Sequence, residues 1–91
     1  MKPFRKTKHA LVRAAQRGIK AADLDLIVRY GTDTPKGVIV TKRDIARVEA
    51  ESGHLLGSLS RLQGTLAVIA GNDILTVYHA TEKQRRAQMT K

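Results

Sequence analysis

TLAVIAGNDILTVYH, residues 65–79, is the stretch whose reading decides the fold. Two apolar runs, 65–70 and 74–79, flank Gly71-Asn72-Asp73, and such a pattern is a strong local signal for a β-hairpin. A strand period of two puts Ile74, Thr76 and Tyr78 on one face and Leu75, Val77 and His79 on the other. Both faces carry apolar residues, so the sheet is expected to be covered on one side and partly open on the other.

Upstream, Val38-Ile39-Val40 reads as a third strand. Between it and the hairpin, Thr41 followed by Asp44 resembles a capping box that opens a helical segment over 41–63. Its apolar positions are Ile45, Val48, Leu55, Leu59 and Leu62, with Leu56 adjacent. Gly53 and Gly57 weaken a helix, and a break is expected near Ser52–Gly53. TDTPKG, residues 32–37, reads as a turn, because Pro35 restricts the residue before it and Gly37 releases the chain. A helix over 21–30 carries Leu24, Ile27 and Val28 on its apolar stripe and stops at Gly31. A first helix over 8–17 takes Thr7 as N-cap and Gly18 as its left-handed end, with Leu11, Ala14 and Ala15, joined by Val12, as its inward face. The order is α-α-β-α-β-β: an α+β domain whose small antiparallel sheet is packed by N-terminal helices and the central helical segment. Residues 1–91 are read as a single domain, with a basic arm over 1–6 and a basic tail over 80–91.

The 91 residues hold 17 Lys or Arg against 8 Asp or Glu, a formal net charge of +9. The charge is concentrated at the ends: residues 1–20 carry seven cations and no acid, whereas 21–63 carry six of each sign. That balance favours a polyanionic partner, with RNA or DNA ahead of an acidic protein or an anionic membrane. The alternative is that the basic ends only keep the chain soluble. With no cysteine there is no disulfide framework, no thiolate metal site and no cysteine nucleophile. No apolar run is long enough to span a membrane and the N-terminus has no signal-peptide core, so a cytoplasmic protein is expected.

Glycine-rich nucleotide loops, a zinc-protease helix and a serine nucleophile elbow are all missing. No carboxylate cluster suggests a metal site, and neither metal nor cofactor is expected. Histidine with arginine remains. Metal-independent RNA cleavage needs a base for the ribose 2′-hydroxyl, an acid for the leaving 5′-oxygen, and cations for the phosphate. Histidine does either proton job near neutral pH, and arginine grips phosphate with a two-pronged fork. His9, Arg13 and Arg17, spaced i, i+4, i+8, share one stripe of the first helix. His79 or Tyr78 is placed to complete the set, and Lys6, Lys8 and Lys20 add cations for nucleic-acid contact. A solvated cationic helix face is the plainer reading of the same spacing.

Other residues have plainer roles. His54 reads as an exposed helix residue, Tyr30 as a helix end closing on the core, and Phe4 as an anchor for the N-terminal arm, with base stacking as its other reading. Lys42, Arg43 and Arg47 follow a helix start, but Asp44 and Glu49 offset them.

The run His9-Ala10-x-x-Arg13-x-x-x-Arg17-Gly18-Ile19 leads into an acidic helix ending in Tyr30-Gly31. The chain closes on Ile74-Leu75-Thr76-Val77-Tyr78-His79 before a basic tail. Over about residues 8–86 this resembles a family of small bacterial proteins related to the RelE-like toxins, and to the wider group containing barnase and the cytotoxic colicin ribonucleases. The resemblance implies a RelE-like antiparallel sheet with RNA bound over the sheet and tail, metal-independent cleavage, and pairing with an antitoxin. Carried over by position, it makes His9, Arg13, Arg17, Thr76 and His79 the catalytic site, with Arg85 and Arg86 on phosphate. RelE-like chains also place a strand before the first helix, and only residues 1–6 are available to supply it.

The reading is therefore an RNA-acting, toxin-type endoribonuclease, working on RNA free or at the ribosome. Two alternatives stay open. One is a non-catalytic basic module, of phage or mobile-element type, that blocks a nucleic-acid-handling complex. The other is an oligomerising protein that uses the heptad-like segment over 41–63.

Overall fold

The structure is a computed structural model that describes residues 4–53 and 57–80. Its elements in chain order are β1 (Arg5–Lys6), α1 (Lys8–Gln16), α2 (Ala21–Tyr30), β2 (Thr32–Asp33), β3 (Gly37–Ile39), α3 (Lys42–Ser52), α4 (Gly57–Arg61), β4 (Thr65–Ala70) and β5 (Asp73–His79). The fold is α+β, with a five-stranded sheet in the order β1-β5-β4-β3-β2.

The sheet is mixed, which corrects the expectation of a wholly antiparallel one. β1 runs parallel to β5, pairing Arg5 with Asp73 and Lys6 with Ile74, whereas the other three pairings are antiparallel. An edge strand presents unpaired N–H and C=O groups, and the chain before α1 takes up some of those on β5. Arg5 N–H donates to the Asn72 carbonyl at 2.7 Å and Thr7 N–H to the Ile74 carbonyl at 3.2 Å. The Arg5 guanidinium grips the Asp73 carboxylate through two bonds of 2.9 Å. Part of the segment read as an arm is thus built into the sheet.

β2 is a second addition, in a segment read as a turn. Thr32 pairs with Ile39 and Asp33 with Val38. The Thr32 hydroxyl donates to the fully buried carboxylate of Asp44, which also receives the N–H and hydroxyl of Thr41. A buried carboxylate without such donors is costly. Asp44 therefore caps α3 and also holds β2 against it.

The expected break in the central segment is present. α3 ends at Ser52, and Gly53 adopts a left-handed φ of +79°, a conformation that glycine takes without steric penalty. His54, Leu55 and Leu56 lie outside the described residues. Asp23, buried on α2, is held by Arg61 of α4 at 3.2 Å.

The β4–β5 hairpin turns on two residues, Gly71 and Asn72, since Asp73 joins the strand. Its register carries a bulge. Ile69 pairs with Ile74 but Val68 pairs with Thr76, so Leu75 has no partner on β4. One extra residue reverses side-chain alternation. Ile74 therefore joins Val77 and His79 on one face, correcting its expected place beside Thr76 and Tyr78. The first face is covered by the helices: Ile74, Val77, Ala67 and Val38 form one core with Ala10, Ala14, Leu24, Ile27, Val48 and Leu59. The far face holds a smaller cluster of Ile39, Leu66 and Ala80, with Val68 and Tyr78 against it. Among the described residues, no helix is long and apolar enough to cross a membrane.

Candidate nucleic-acid interface

α1 is fixed to β5 at both ends. Thr7 caps it by accepting the Ala10 N–H at 3.1 Å, and the same hydroxyl donates to the Ile74 carbonyl at 2.7 Å. Ala10 and Ala14 are the buried residues of the helix, and their small side chains let it lie close on the strand. At its other end Arg17 Nε donates to the Val77 carbonyl at 3.3 Å. Burial of the alanine side leaves His9 and Arg13 exposed, with Arg13 bonded to Gln16 at 3.3 Å.

The stripe is long compared with a phosphate. Eight residues of α-helix rise about 12 Å, so His9 and Arg17 do not meet on one phosphoryl group. They suit successive points along a strand instead. His79 lies on the helix-side face, exposed, with Nδ1 3.4 Å from the hydroxyl of buried Thr65. Arg17 touches β5 two residues before His79, so the cationic end of α1 and the last strand come together.

Thr76 is placed apart from them. It pairs with Val68 and looks to the far face with Leu66 and Tyr78. Of the expected phosphate contacts, Lys8 and Lys20 are exposed, whereas Lys6 is engaged by Asp25 at 3.0 Å. Arg85 and Arg86 lie outside the described residues.

Two features were not anticipated. Thr65 is the polar partner of His79; runs 65–70 and 74–79 paired about the three residues 71–73 do set the two opposite each other, but nothing in the sequence marks Thr65 as a site residue. The other corrects the inward face read for α1: the helix turns Ala10 and Ala14 onto β5, which leaves Ala15 exposed and Leu11 and Val12 exposed at 40 and 46%, with Leu75 of β5 at 39%. On a helical projection Leu11 lies on the far side from His9, whereas Val12, three residues on, flanks it.

Proton transfer by histidine and anion binding by arginine are the chemistries this arrangement offers. Among the described residues, no group of three or more His, Cys, Asp or Glu side chains is placed to hold a metal ion. Compared with protein-family models, curated proteins and solved structures, the chain matches none.

Proposed function

We propose that the protein is a toxin-type endoribonuclease of the cytoplasm that cleaves RNA, free or ribosome-bound, without a metal ion, and that an antitoxin-type protein partner restrains it. The contact between Arg17 and the Val77 carbonyl carries this reading. It joins the helix bearing His9 and Arg13 to the strand end bearing His79, in a chain of net charge +9. His9 or His79 takes the proton of the 2′-hydroxyl, and the leaving 5′-oxygen takes its proton from water. Arg13 and Arg17 hold successive phosphates, the cleaved one and its neighbour, as charge grows on the first. Attack by the 2′-oxygen leaves a 2′,3′-cyclic phosphate.

The test is incubation of pure protein with total RNA in EDTA, comparing wild type with His9→Ala and His79→Ala. Cleavage in EDTA with cyclic phosphate ends is expected, slowed by about 10²–10⁴ in His9→Ala with RNA affinity little changed. Tight RNA binding with no cleavage by wild type overturns catalysis. That result points to the second reading, a non-catalytic module, which the exposed Leu11 and Val12 favour because phosphate has no use for aliphatic side chains.

A further inference from the structure

Thr65 is fully buried, yet its side chain ends in a hydroxyl. Its N–H donates to the Leu62 carbonyl at 2.9 Å, and its carbonyl accepts from the Val40 N–H at 3.1 Å. The backbone of Thr65 is therefore satisfied away from β5, where its register partner is His79. Opposed residues without mutual backbone bonds bring their side chains closest. The hydroxyl lies 3.4 Å from His79 Nδ1 and has no other partner among the described residues. A buried hydroxyl with no acceptor for its proton is costly. Nδ1 is the acceptor at hand, and a neutral imidazole that accepts at Nδ1 carries its proton on Nε2. An imidazolium carries one there too. His79 is exposed. In both states its outward nitrogen is thus a donor, whereas a general base needs that nitrogen bare.

We infer that Thr65 fixes His79 as a hydrogen-bond donor rather than a base, and that His79 Nε2 and Arg17 together form a phosphate site. Arg17 is held at the Val77 carbonyl by its Nε at 3.3 Å, which leaves its terminal nitrogens for an anion. Val77 and His79 share the helix-side face, two residues and about 7 Å apart along the strand. A phosphate accepting one bond of about 2.9 Å from each side chain bridges that distance. That the phosphate belongs to RNA rests on the reading above; the proton on Nε2 does not. Removal of the 2′-proton then falls to His9. Thr65 acts through His79 and is a positioning residue.

Ring nitrogen–proton correlation spectra at about pH 8, above the ordinary histidine range, read the tautomer directly. Wild type should show His79 with a bare Nδ1 and a protonated Nε2, favoured by about tenfold or more. Thr65→Val, which removes the hydroxyl and nearly keeps the shape, should bring both tautomers into view. Thr65→Ser should restore the wild-type spectrum. A proton on Nδ1 in wild type, or an unchanged spectrum in Thr65→Val, overturns the role of Thr65. Inorganic phosphate titrated at low salt should shift the His79 ring and the Arg17 Nε–H, and Arg17→Ala should weaken its binding about fivefold or more. Phosphate shifts confined to other residues overturn the shared site. With RNA, His79→Ala should raise KM about fivefold or more and leave kcat within about threefold, whereas His9→Ala lowers kcat. A fall in kcat of about 10² at constant KM in His79→Ala would make His79 the base and overturn the inference. A wild type that shows the tautomer and binds phosphate, yet neither binds nor cuts RNA, keeps the site and overturns the RNA reading instead.

Discussion

Arg17 Nε donates to the carbonyl oxygen of Val77 across 3.3 Å, so the last residue of the cationic stripe is tied to the backbone of the final strand. That bond fixes one N–H of the guanidinium and leaves the terminal nitrogens for an anion. An arginine anchored in this way is pre-organised, having already given up part of its side-chain freedom.

Replacing Arg17 with alanine should lower the single-turnover cleavage rate by about 10²–10³, as for loss of one transition-state donor. Arg17→Lys should recover little of it, because an ammonium is a point charge without the planar fork. The same comparison at Arg13 should give the same pattern. Recovery by lysine at either position would reduce that arginine to a general cation.

Val77 is fully buried in the helix-side core. Val77→Asp should destabilise the fold by about 3 kcal/mol or more, since an unpaired carboxylate is forced out of water. Urea denaturation measures it, and unchanged stability would place this strand face wrongly.

RNA affinity should fall with salt, with a slope of about −3 to −5 in log–log form if some 4–6 phosphates are neutralised. The lysines should divide. Lys8→Ala should make that slope about 1 unit shallower, as for loss of one phosphate contact. Lys6→Ala should leave it unchanged, because Lys6 is engaged by Asp25 at 3.0 Å. Titrations of one RNA at several salt concentrations check both.

The hydrogen bond from Arg5, helped by its charge, holds the Asp73 carboxyl below its ordinary value. A group lowered in the folded state adds stability above its unfolded pKa and loses it as pH falls through the lowered folded value. Asp73→Asn should therefore melt below wild type at neutral pH, and the gap should close as pH drops below the ordinary carboxylate range. A gap independent of pH would mean that the pair contributes through shape rather than charge.

Local chemistry explains which parts of the fold were readable. Thr7 and Thr41 announce helix starts with the side chains that cap them, Gly53 ends α3 in a left-handed conformation, and Gly31 ends α2 where a Cβ would meet Val38 and the Ile27 carbonyl. The hairpin has its own turn glycine. β1 and β2 are each two residues long and depend on distant partners, Asp73 for Arg5 and Asp44 for Thr32, so no pattern within their own segments marks them. The candidate site divides in the same way. The helical stripe follows from spacing within α1, where His9 and Arg13 are exposed as the spacing implies. On β5, period-two counting already sets Thr76 and His79 on opposite faces, and Thr76 enters the site only through the resemblance; what the counting does not contain is the register shift at Leu75, which moves Ile74 to the face of Val77 and His79.

The unpaired Leu75 also works as a spacer that sets the frame of the strand. Were it paired with Val68 in an unbroken ladder from the two-residue turn, every later residue of β5 would shift one step along β4 and change face. Left out of the ladder, it lets the imidazole of His79 sit over Thr65 on the helix side while the phenol of Tyr78 takes the far side. A regular ladder that kept Leu75 would exchange the two rings. Deleting Leu75, by contrast, closes the ladder and moves neither, since Thr76 still meets Val68. One residue held out of register thus selects which ring the strand offers on the side of Arg17.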